Sequence, residues 1–187
     1  MAFIQNNNNY NQANNGGEPQ QKTNFPIGKV FGNDGTIEIR CWKSNNNAVY
    51  TNIIIRQQTG KDPQGHTLYE GGLIKDIPNV LFRVDSARAL YEYLITKNPA
   101  TVNLQDYSAP GYPDSKISFQ GSETGVKITI TNPKGTRSFT LGATPVGGEN
   151  VNANWKNFIS QFKRAIDAGI FVKTAPELGS SNEEEPF

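Results

Sequence analysis

Two runs of strict alternation, separated by a stretch of asparagines, constrain this chain more than any other feature. Residues 36–43 read TIEIRCWK. In an extended strand successive side chains leave opposite faces. Ile37, Ile39 and Cys41 therefore share one face, and Glu38, Arg40 and Trp42 share the other. Residues 47–57 repeat the period, with Val49, Thr51, Ile53 and Ile55 set against Tyr50, Asn52, Ile54 and Arg56. Ser44-Asn45-Asn46-Asn47 is turn chemistry, so the two runs predict a β-hairpin. One face of that hairpin suits a core. The other carries two guanidinium groups and two aromatic rings.

Further along, a loop through Gly60 to Gly65 leads to a strand near residues 68–75. A helix capped by Asp85 or Ser86 comes next, with Ala87, Leu90, Tyr91 and Leu94 on one face, and Asn98-Pro99 ends it. In the second half, residues 116–120, 125–131 and 136–141 alternate again, joined by Ser122-Glu123-Thr124 and Asn132-Pro133-Lys134-Gly135. A longer helix carries Val151, Trp155, Phe158, Ile159, Phe162 and Ile166 at helical spacing. Lys156, Lys163 and Arg164 lie on its polar face, and Gly169 stops it. The order is strands then helix, twice over. That predicts an α+β fold with an internal structural repeat, without residue-level identity between the halves. The opening strand near residues 28–32 and the Pro/Tyr-containing run 107–114 leave the strand count open. The competing fold is an OB barrel with an added C-terminal helix, in which the helix near 85–97 sits between strands.

Residues 5–24 are rich in Asn and Gln and contain one aromatic, Tyr10. Such a stretch buries too little apolar surface to fold. The expected organisation is a disordered arm over 1–24, a folded domain over 25–173 with units of about 25–99 and 100–173, and a disordered acidic tail over 174–187. The last fourteen residues hold four Glu and no Lys or Arg, and the first twenty-four hold one charge of each sign. The +1 of the whole chain therefore leaves +5 on the body. A mildly basic body beside an acidic tail suits a protein whose body meets a polyanion.

Several chemistries are disfavoured. Cys41 is the only cysteine and His66 the only histidine. This rules out an intramolecular disulfide, a cysteine-based zinc site and a multi-His metal site. His66 lies in the turn-like run DPQGH and reads as a surface loop residue. No Gly-Lys phosphate loop occurs, and nothing places acids such as Asp76 and Asp114 together. Gly147-Gly148 precedes a helix, where an anion site and an ordinary loop are both open. No enzyme activity, cofactor or metal is expected. No apolar run approaches a bilayer's thickness, and MAFIQNNNNY lacks the regions of a secretory signal. The expected location is the cytoplasm, the host's if the chain is phage-encoded, with no membrane partner.

A sequence-tolerant binder of single strands answers flexible phosphates with cations and unstacked bases with flat rings. Arg40, Trp42, Tyr50 and Arg56 offer both on one face, and Lys43, Lys61 and Lys75 are near in sequence. Lys116 and Lys127 fall opposite the apolar positions of the second unit, while Arg137 shares parity with Phe139 and Leu141. The alternative for Trp42 and Tyr50 is packing under a neighbouring loop or at a subunit contact. Trp155, Phe158 and Phe162 read as core.

The hairpin TIEIRCWKSNNNAVYTNIIIRQ and the helix NANWKNFISQFKRAIDAGI resemble the PC4/Whirly/Pur group of single-stranded nucleic-acid-binding proteins. In that group a curved antiparallel sheet of about four strands precedes a helix, and two such units pair. The ending Glu183-Glu184-Glu185-Pro186-Phe187 is similar to the acidic tip of bacterial and phage single-stranded DNA-binding proteins. The resemblance implies a protein that coats single-stranded DNA in replication or recombination. Its tail would recruit other replication or recombination proteins, with the Phe187 ring and carboxylate as the knob. RNA as a second ligand and a homo-oligomer stay open. The alternatives are a PC4-like transcription cofactor on melted DNA and a structural or virion-associated β-protein.

Overall fold

Alternation in the first hairpin becomes two long antiparallel strands. The computed structural model describes residues 24–32, 34–43, 48–71 and 76–171. Strand β1 (Asn24–Phe31) pairs with β2 (Gly35–Lys43), and β2 with β3 (Val49–Lys61). Trp42 lies opposite Tyr50, and Ile39 opposite Ile53, the register that keeps the apolar set on one face. The far end of β3 pairs with β4 (Thr67–Tyr69), and residues 50–54 of β3 pair with β5 (Asn79–Arg83). The expected strand near 68–75 is thus shorter, with 72–75 outside the described residues.

Helix α1 (Val84–Ile95) follows β5 directly. Its N-cap is Arg83 without a side-chain cap bond, and its C-cap is Thr96, so Asp85 lies in the first turn and Asn98-Pro99 beyond the end. Asp85 still complements the helix dipole there. Ala87, Leu90 and Leu94 are buried, and Tyr91 is half-buried.

The second sheet is an antiparallel meander of β6 (Asn103–Tyr107), β7 (Lys116–Ser122), β8 (Gly125–Asn132) and β9 (Gly135–Gly142). Gly121 lets β7 close on the turn before β6: its N–H donates to Val102 O at 2.7 Å, and a Cβ would lie 2.2 Å from Pro99 O. A small hairpin, β10 (Thr144–Val146) and β11 (Glu149–Val151), precedes helix α2 (Ala153–Phe171). Gly147 and Gly148 are the turn of that hairpin, with φ of 59° and 87°. Two consecutive positive φ values are what a tight two-residue turn requires. These glycines therefore serve the turn, and Val151 is an exposed strand residue and not part of the helical face. Gly169 falls within α2 and does not stop it.

The fold is α+β, with antiparallel sheets and two helices. Among the described residues none of the sheets closes into a barrel, which argues against the OB alternative. One core joins the halves. Ile37, Ile39, Ile53, Ile55, Val80 and Phe82 of the first sheet meet Ile117, Phe119, Ile128, Ile130 and Phe139 of the second. Helix α2 follows the second sheet in sequence but lies against β1, β2 and β3 as well as β9 and α1. Its Trp155, Phe158 and Phe162 are buried, with Phe158 and Phe162 stacked at 6.0 Å. Arg137, on the core-side parity of β9, bridges the halves by donating Nη2–H to Glu70 Oε1 at 2.9 Å and Nε–H to Oε2 at 3.4 Å. No helix among the described residues is long and apolar enough to cross a membrane.

Candidate functional site

With Ile37, Ile39, Ile53 and Ile55 turned into the core, the register sends Glu38, Arg40, Trp42, Tyr50, Asn52 and Arg56 to the opposite face of the first sheet. The Trp42 and Tyr50 rings are cross-strand partners, 4.7 Å apart at centroid and inclined by 34°. Aromatic pairs at such a separation add about 0.5–1.5 kcal/mol beyond burial. Trp42 is half-buried.

Glu38 is the electrostatic hub, at 3% exposed. Lys29 Nζ, from β1, reaches Oε1 at 2.9 Å, and Arg56 Nε, from β3, reaches the same oxygen at 3.2 Å. Arg40, two residues along β2, donates Nη2–H at 2.9 Å and Nε–H at 3.3 Å to Oε2. Burial pushes the Glu38 carboxyl upward, but hydrogen bonds from Lys29 and Arg40 and the charge of Arg56 outweigh it, and the net shift is downward. Three cations around one carboxylate leave the cluster net positive. Arg56 is the most enclosed of them, and its Nη1 also donates to the carbonyls of Glu70 and Gly71.

This face is more covered than an open binding sheet would be. Tyr50 is 6% exposed and bonded through its hydroxyl to Tyr112, in the segment between β6 and β7. The bond with Tyr50, then burial, raises the Tyr112 phenol. Tyr107, which donates its O–H to Ser86 O at 2.9 Å, and buried Ala109 anchor that segment. Packing of Tyr50 under a neighbouring loop is thus what the fold does. Arg83, opposite Tyr50 on β5, is exposed and close enough to Tyr112 to oppose its upward shift.

Lys43 ends β2 on the Cys41 side, half-buried, and Lys61 ends β3, exposed. Lys75 and the tail residues Glu183, Glu184, Glu185, Pro186 and Phe187 lie outside the described residues. Lys116 and Lys127 are on the outer face of the second sheet, a separate surface, because the inner faces of both sheets share the core. There they stand among Ser118, Thr129, Thr131, Thr136, Ser138 and Thr140, with Lys116 Nζ 3.7 Å from Asp106. His66 is an exposed loop residue, its Nδ1 2.8 Å from Asp62 Oδ2.

No protein-family model, curated protein or solved structure matches this chain. Function must then be read from the chemistry of its surfaces. Among the described residues no group of three or more His, Cys, Asp or Glu could hold a metal. A cavity of about 540 Å³ lies where the β1–β2 turn meets the end of β9 and the first turn of α2. Its lining includes Asp34, Thr124, Thr140, Thr144 and Asn154.

Lys29, Arg83 and Tyr112 join the first-sheet face without having been singled out by alternation. Lys29 depends on the pairing of β1, whose parity the Gly-Lys-Val run leaves unsettled. Arg83 sits on a five-residue strand that merges into α1. Tyr112 is brought by tertiary packing, and only the aromatic content of run 107–114 hinted at it.

Proposed function

We propose that this chain is a sequence-tolerant single-stranded DNA-binding protein that coats strands during replication or recombination and recruits partners through its C-terminal tail. The observation that carries the reading is the half-buried Trp42 ring, backed by the covered Tyr50 ring, on a sheet face whose neighbours are Lys29, Arg40 and Arg83. Rings accept bases of any identity, and cations accept phosphates. The charge of the body supports the same reading. The strands-then-helix order, met twice, is the arrangement expected of a PC4/Whirly/Pur-like protein. The recruiting role belongs to Glu183 to Phe187 and rests on their sequence.

The test is a fluorescence titration with oligo-dT and duplex of equal length. Preference for the single strand, with log affinity falling by about 0.7 per phosphate neutralised per decade of salt, is the expected result. Equal affinity for both forms would sink the reading. Saturating coverage of long strands separates coating from promoter-restricted action of a PC4-like cofactor.

A further inference from the structure

A carboxylate at the centre of a face read as a polyanion site runs against simple charge logic. Glu38 is nevertheless buried there, bonded to cations from three adjacent strands. We propose that Glu38 is a positioning residue, which presets the Arg40 guanidinium beside the Trp42–Tyr50 pair for a phosphodiester. This rests on the single-stranded nucleic-acid reading of that face.

The three cations divide by geometry. Arg56, with its side chain 11% exposed, spends donors on Glu38 and on the Glu70 and Gly71 carbonyls, and acts as the internal counter-ion. Arg40 is 22% exposed and Lys29 48%. Arg40 commits two of its N–H groups to one Glu38 oxygen, which fixes the plane and direction of the whole guanidinium fork. A long cationic side chain that orders only on binding loses rotamer freedom at that moment. Glu38 has already taken that freedom from Arg40 in the folded protein. Net charge and positioning therefore predict opposite signs when Glu38 is neutralised.

The experiment measures oligo-dT affinity across a salt series for wild type, Arg40→Lys and Glu38→Gln, with melting curves for each. Lysine keeps the charge but cannot be held at two points. Arg40→Lys is expected to bind about two- to tenfold more weakly with an unchanged salt slope. Glu38→Gln is expected to weaken binding as well, although it makes the protein more positive. Wild-type affinity in Arg40→Lys, or tighter binding by a folded Glu38→Gln, overturns the proposal and makes Glu38 only a competing charge. If Glu38→Gln does not fold, Arg40→Lys alone decides. Absence of single-strand binding by the wild-type protein overturns both this inference and the reading beneath it.

Discussion

The hydroxyl of Tyr112, in the second half of the chain, is hydrogen-bonded to that of Tyr50 on the first sheet. The aromatic face is thereby built by both halves, and its inner ring is 6% exposed while Trp42 remains half-buried. Trp42 is the more accessible ring of the pair.

Tyr112→Phe keeps the ring and removes the bond. Stability should fall by about 0.5–1.5 kcal/mol, the net worth of one hydrogen bond. Urea unfolding measures it. Unchanged stability would mean that the two hydroxyls do not pair in solution.

Trp42→Ala should weaken oligo-dT binding by about 1–3 kcal/mol, one stacked base. The fold should lose about 0.5–1.5 kcal/mol with the Tyr50 contact, beyond the loss of buried area. Titration and melting together decide the matter. A variant that unfolds outright would make Trp42 a core residue.

Glu38 makes the stability of the fold acid-sensitive. Its folded pKa is lowered, so the stabilisation is fully present above the ordinary glutamate value of about 4.3 and is lost as pH falls through the lower folded value. Urea unfolding of wild type and Glu38→Gln from neutral to acid pH should show a steeper acid limb in the wild type. Parallel limbs would mean that Glu38 has the same pKa folded and unfolded.

The Arg137–Glu70 bridge joins the two halves with two donors on one carboxylate. Both side chains are partly exposed, so a double-mutant cycle should give a coupling of about 1 kcal/mol at most, shrinking as salt is raised. A coupling of zero at low salt would leave the core alone to hold the halves together.

Deleting Glu183 to Phe187 should leave the melting temperature unchanged and single-strand affinity equal or slightly higher at low salt, since those acids compete weakly for a basic body. Pull-downs from lysate should lose the same partners with the deletion and with Phe187→Ala. Identical partner sets on all baits would deprive the tail of a recruiting role.

Strand parity from Ile37 to Ile55 was decided by the sequence alone, because the period of two puts Ile37, Ile39, Ile53 and Ile55 on one face, although Ile54 on the other face is buried as well. The same holds for the buried faces of α1 and α2, where Leu90, Leu94, Trp155, Phe158 and Phe162 recur at helical spacing. The α+β class follows from these runs. Short elements were not legible: β5, β6 and the β10–β11 hairpin are three to five residues per strand, too few for a period to stand out. What only the tertiary structure decided is which groups share the outer face and how much of it is open. Glu38 becomes a hub because β1 and β3 bring Lys29 and Arg56 to it, and Tyr50 is covered because a distant loop carries Tyr112 over it. The physical reason is that alternation records only whether a side chain faces the core. Charge partners and lids on the other face come from remote segments, whose meeting is set by how the two sheets and α2 pack into one core.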